Sequence, residues 1–113
     1  MALNQHYHHL WFVSFILTNT SGHRSAIQLK LRARQPLPAE IVTECEGRHT
    51  DPFSLLTECS ADYFTKHPVG TEFLIKAKLT DRKGGAMFFY TYYSWGAIQI
   101  VKARKRIKTG VDL

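Results

Sequence analysis

The stretch TEFLIKAKLTDRKGGAMFFYTYYS, residues 71–94, carries the strongest structural signal in the chain. Phe73, Ile75, Ala77 and Leu79 alternate with Lys76 and Lys78, the two-residue period of a strand with one face in a core. DRKGG, residues 81–85, reads as a hairpin loop whose glycines can take positive φ. AMFFYTYYS, residues 86–94, then returns as a second strand of β-rich composition. Phe88, Tyr90 and Tyr92 share one of its faces; Met87, Phe89, Thr91 and Tyr93 share the other. Alternation defines two faces without saying which one meets the core. WGAIQIVKA, residues 95–103, adds one more strand, with Trp95 and Gly96 at a corner or bulge.

Towards the N-terminus, Trp11, Val13, Phe15 and Leu17 are all apolar, while the even positions mix Phe12 and Ile16 with Ser14 and Thr18. This predicts a strand buried on one face and half-buried on the other. NTSGH supplies turn residues. In SAIQLKLRAR, residues 25–34, Ile27, Leu29, Leu31 and Ala33 face one way and Gln28, Lys30, Arg32 and Arg34 the other. The prolines of QPLP favour an edge or a bend, and EIVTECE, residues 40–46, reads as a short third strand with Ile41 and Cys45 on one side. A helix is predicted at about residues 52–66. Asp51 caps it, Pro52 starts it, and Phe53, Leu56, Cys59, Ser60, Tyr63 and Phe64 form its stripe. His67 before Pro68 ends it.

Three strands, a helix and two or three strands make a mainly β chain with one helix (β+α). That order suits a small, OB-like curved barrel with the helix plugging one end. Another α+β half-barrel or a PUA-like fold uses the same element types. A single domain spans residues 10–103, between a loose N-terminus at 1–9 and a basic tail at 104–113.

YFTKHPVGTEFLIKAKLTDRKGG, with its helix end, turn, basic strand and glycine hairpin, resembles the same region of bacterial single-stranded DNA-binding proteins. The resemblance is one of layout and covers roughly the C-terminal half. It implies an OB-type barrel that binds single-stranded DNA. Where that family carries an acidic tail, this chain carries a basic one.

A hydrophobic fraction of 44% over 113 residues excludes a disordered chain. The longest apolar run, LWFVSFIL at 10–17, is too short to cross a bilayer, and no Lys or Arg precedes it as in a signal peptide. Two cysteines, Cys45 and Cys59, do not make a disulfide scaffold. The sequence therefore predicts no membrane partner and a cytoplasmic location. Both cysteines fall on predicted buried faces, as inert core thiols.

Net charge is +6 and the isoelectric point about 9.6. KARKRIK, residues 102–108, holds five of the fifteen basic side chains; without the last twelve residues, ten basic and eight acidic residues leave +2. The excess is thus concentrated in the tail, a general attractor of polyanions. The body contributes Lys30, Arg32 and Arg34 from one strand and Lys76 and Lys78 from another. Beside tyrosines these make a basic, ringed face of the kind that stacks bases and tracks phosphates. Candidate phosphate contacts are therefore Lys30, Arg32, Arg34, Lys76 and Lys78, with Tyr90, Tyr92, Tyr93 and Trp95 as stacking groups. Lys102, Arg104, Lys105, Arg106 and Lys108 are salt-sensitive supplements.

His6, His8 and His9 lack a metal-site spacing, and neither a metal nor another cofactor is expected. Glu40, Glu44, Glu46, Asp51, Glu58 and Asp62 cluster, with Glu44 and Glu46 on one predicted strand face, but no phosphate loop, nucleophile elbow or zinc-protease helix accompanies them. The sequence predicts no enzyme. Single-stranded nucleic acid is the expected partner. The rival is a protein-interaction module, a small homo-oligomer using the exposed rings as an apolar patch.

Overall fold

The 71–94 stretch forms the spine of the molecule. The computed structural model describes residues 4–16, 27–60, 63, 66–82, 85–92 and 94–103. Strand β4, Glu72–Asp81, and strand β5, Met87–Tyr90, make the antiparallel hairpin, with Lys78 opposite Tyr90 and Leu79 opposite Phe89. Strand β1, His8–Ile16, lies antiparallel along the other edge of β4, and β2, Ile27–Leu31, lies antiparallel on β1. Phe12 therefore stands opposite both Phe73 and Leu31. Strand β3, Thr57–Glu58, runs parallel to β5, and β6, Gln99–Val101, pairs with the start of β4.

The resulting order is β2-β1-β4-β5-β3, with β6 also on β4. This sheet curls into a nearly closed barrel. Its two edge strands, β2 and β3, approach without a hydrogen-bonded ladder among the described residues. The seam holds a cavity of about 370 Å³, lined by Gln28, Leu55, Leu56, Met87 and Phe88 among others.

A helix forms where the sequence reading puts the third strand. Helix α1 spans Ala39–Gly47, replacing the strand expected at 40–46. Ile41 and Cys45, four residues apart, are both buried on it. Glu40 sits in its first turn, where negative charge suits the dipole, and Arg48 Nε reaches Glu44 Oε2 at 2.8 Å one turn away. His49, at φ 53°, ends the helix in the left-handed region; the Thr50 amide reaches back to the Cys45 carbonyl and His49 to Glu46.

Of the helix expected at about 52–66, one 3₁₀ turn forms at its start, Pro52–Ser54, Thr57 and Glu58 are strand, and Tyr63, near its expected end, is helical. Asp51 does cap the 3₁₀ turn, accepting from the Phe53 amide at 3.0 Å. The chain then extends, because β5 offers an open edge: Phe89 N donates to Leu56 O, and Thr91 N to Glu58 O. Tertiary pairing overrides the local start signal. Tyr63 is buried, whereas 61, 62, 64 and 65 lie outside the described residues.

Phe73, Ile75, Ala77 and Leu79 are fully buried, as the alternation predicts. On β1 it is the even face that turns inward: Leu10, Phe12 and Ser14 are buried, and Trp11, Val13 and Phe15 are only half-covered. Ser14 is tolerated there because its hydroxyl accepts from the Gly70 amide at 3.1 Å. On β5, Met87 and Phe89 point in with the following Thr91; Phe88, Tyr90 and Tyr92 point out. Phe12 and Phe89 meet across the interior, edge to face, with centroids 5.7 Å apart. Ile41 and Cys45 of α1 join the same core. Burial raises the Cys45 thiol and pushes Cys59 up to about 12, so neither is a ready nucleophile.

Replacing Phe89 by Ala is expected to cost ~3–5 kcal/mol in urea unfolding. A double-mutant cycle with Phe12→Ala should leave a coupling of ~0.5–1.5 kcal/mol for the ring pair. A loss below about 1 kcal/mol for Phe89→Ala would mean that the ring does not close the barrel core.

Candidate nucleic-acid interface

The outer face of the sheet follows from the register. Val13 stands opposite Lys30 on one side and Glu72 on the other; Trp11 stands opposite Leu74, and His9 opposite Lys76. The cations of β2 and β4 therefore share one face but are not adjacent. β1 runs between the two strands, which lie about 10 Å apart, and the register offsets Lys30, opposite Val13, from Lys76, opposite His9.

Each of these cations sits on an aromatic ring. Lys30 Nζ lies 4.5 Å from the Phe15 ring centre, and the Arg32 guanidinium carbon lies 4.8 Å from that of Trp11. Lys76 Nζ is 5.1 Å from the Trp95 ring and Lys78 Nζ 4.9 Å from Tyr7. Arg82, at the hairpin, covers Phe88 at 4.5 Å and pairs with Glu58. Such contacts are worth ~0.5–1 kcal/mol each at exposed sites, enough to bias a long side chain without fixing it. Arg32 also reaches Glu72 Oε1 at 3.1 Å, so the face combines four sheet cations with one central carboxylate.

The rings gather most densely beside β4. Trp95 meets Tyr7 at 5.0 Å and Tyr92 at 5.7 Å, both edge-on. Tyr92 is 41% exposed and Trp95 36%, so this cluster offers ring surface to solvent. Its position comes from an excursion of the chain. Tyr90 opposes Lys78 and Gln99 opposes Leu74, so nine residues of return chain cross four of β4 and five are looped out. Thr91 anchors the near end of that loop, its hydroxyl donating to Lys76 O at 2.8 Å; the Ile98 amide anchors the far end on Leu74 O at 2.7 Å.

Tyr7, which the sequence reading leaves in a loose terminus, is held by an alternation of its own. His6 Nδ1 and His8 Nε2 lie 3.1 and 2.6 Å from the two carboxylate oxygens of Glu40 on α1. The His6 amide donates to Glu40 as well, and Gln5 Nε2 to its carbonyl. Tyr7 lies between these residues and reaches Lys78 and Trp95. Burial and then Tyr90 raise its hydroxyl above the usual value.

Several predicted residues fall elsewhere. β2 ends at Leu31; Arg32 N still donates to Trp11 O at 2.9 Å, and the Gln35 side chain completes the pairing, accepting from Trp11 N at 3.1 Å and donating to Trp11 O at 2.6 Å. The chain turns there, and Arg34, at φ 66°, leaves the strand face. Lys102 is exposed just beyond β6. Tyr93, Arg104, Lys105, Arg106 and Lys108 lie outside the described residues. Tyr7, Trp11, Phe15 and Arg82 were not foreseen; the apolar odd positions of β1 were the available signal for two of them.

Other chemistry is sparse. Glu44 and Glu46, expected on one strand face, are two residues apart on a helix and diverge. Among the described residues no group of three or more His, Cys, Asp or Glu side chains could hold a metal ion. No described helix is long and apolar enough to cross a membrane. Comparison with protein-family models, curated proteins and solved structures gave no match.

The His8 contact, above all, holds the Glu40 carboxyl at about 2, against an ordinary value of 4.5. A lowered acid stabilises fully above its ordinary value and loses that contribution as pH falls through the lowered one. The clasp on residues 5–8 should therefore persist below pH 4 and fail near 2. The side-chain carboxyl carbon of Glu40, followed by NMR, should titrate near 2; a midpoint near 4.5 would mean the clasp is not formed.

Proposed function

We propose that the protein binds single-stranded nucleic acid on the outer face of β1, β4 and β5, as a small barrel without catalysis. The observation that carries this reading is the set of cations resting on rings across one sheet face, beside the exposed pair Tyr92 and Trp95. A lysine poised over a ring can swing to a phosphate and release the ring to a base, so the two halves of the contact form together. Arg32 starts at a disadvantage, since it must leave Glu72. A partly open five-stranded barrel is the architecture on which OB-type proteins bind oligonucleotides, and the resemblance of residues 63–85 to bacterial single-stranded DNA-binding proteins supports the same reading. The basic residues beyond 103 add attraction without sequence preference.

A second reading rests on a separate observation. Ile98, Ile100 and Val101 are exposed on and beside β6, a three-residue strand whose described pairing is to β4 alone. Such an apolar edge suits pairing with a second copy of the chain, making the protein a small homo-oligomer.

A labelled oligonucleotide titrated at two salt concentrations tests the first reading. Affinity should fall as salt rises, and the tryptophan emission of Trp11 and Trp95 should be quenched. Trp95→Ala should weaken binding ~5- to 100-fold, the worth of one stacked base. Lys76→Ala with Lys78→Ala should flatten the log–log salt slope by ~0.7 for each phosphate that is no longer neutralised. No binding at low salt would sink the nucleic-acid reading, and a salt-resistant dimer mass in light scattering would favour the second.

A further inference from the structure

A second cavity, of about 230 Å³, adjoins the ring cluster. It lies between the segment before β4 and the looped-out residues, and Tyr63, Lys66, His67, Ser94, Trp95 and Gly96 are among its lining. Tyr63 and His67 both stand edge-on to Phe73, with centroids 5.0 and 5.4 Å away, so one end rests on the core. The Tyr63 hydroxyl donates to the Trp95 carbonyl at 3.2 Å and ties the two walls together. Burial, with Cys59 adding to it, pushes that hydroxyl up to about 12, so it remains a donor at neutral pH.

Two features mark the cavity as more than a packing defect. Its wall is aromatic, with Tyr63, His67 and Trp95 all lining it, surfaces against which a planar ring can lie. Trp95 belongs to both places, since it lines the cavity and also meets Tyr7, Tyr92 and Lys76 of the outer cluster. The volume falls below the ~300–1,000 Å³ of pockets for drug-sized ligands, which suits one planar ring system and leaves no room for a whole nucleotide.

Building on the nucleic-acid reading, we infer that this cavity receives one base of the bound strand, turned out of the stack past Trp95. Its ring lies against the aromatic wall of Tyr63, His67 and Trp95, and its neighbours in the strand remain on the outer rings. Lys66 is part of the same wall and adds positive charge beside the cavity. The arrangement gives the interface a fixed register, because one nucleotide is held differently from the rest.

The test uses the full chain and a labelled single-stranded DNA of roughly ten nucleotides, within the site sizes of such barrels. An abasic residue is walked along it and affinity read by anisotropy. One position should cost about tenfold or more, with the others within about threefold. Gly96 lines the cavity and a Cβ added there meets nothing within 4 Å, so Gly96→Leu adds bulk at the wall without a clash at the Cβ. That variant should bind the intact strand about tenfold more weakly, yet match wild type on the strand abasic at the sensitive position. Equal losses at every abasic position, with salt-sensitive binding intact, overturn the base pocket and spare the interface. Absence of any binding by wild type overturns both.

Discussion

The register between β1 and β4 sets every face of this sheet. With Phe12 held opposite Phe73 and Leu31, the interior receives Leu10, Phe12, Ile75 and Leu29 from three neighbouring strands. A slip of β4 by one residue would send Lys76 and Lys78 into that interior and Phe73 and Ile75 to solvent. Burying an unpaired ammonium costs several kcal/mol, so the lysines enforce the register as firmly as the phenylalanines do. The same alternation that builds the core thereby lines up cations on the outside. Core and candidate interface are two readings of one constraint.

The outer face is held in a state of mild internal satisfaction. Its lysines cover rings at 4.5–5.1 Å, and its arginine divides its charge between Trp11 and Glu72. At exposed sites such covering is worth only about 0.5–1 kcal/mol per contact, so it biases the side chains without locking them. Glu40 contributes at a distance: by clasping His6 and His8, on either side of Tyr7, it keeps that ring on the face beside Lys78. It acts as a positioning residue.

β4 and β5 were legible because a strict two-residue period leaves little choice of element. β1 was legible as a strand, but its inward face was not. Trp11, Val13 and Phe15 looked like core and instead form the half-buried floor of the outer face, while polar-looking Ser14 is buried because Gly70 supplies its partner. In α1, Ile41 and Cys45 four apart satisfy a strand and a helix equally, and only packing against the barrel distinguishes them. The Asp51–Pro52 start signal was sound, but the chain leaves the helix at once to pair with β5 and is helical again only at Tyr63. The role of Tyr7 was hidden, since it depends on a carboxylate in another element.

The loop between Thr91 and Ile98 is fastened at both ends to carbonyls on the outer edge of β4, while the strands before and after it keep their own ladders. Its length is thereby uncoupled from the barrel. Residues can be inserted or exchanged there, altering which rings are displayed and how wide the adjoining hollow is, with no strand obliged to re-pair. Variation confined to those few positions therefore changes the ring cluster while the register of the barrel stays as it is.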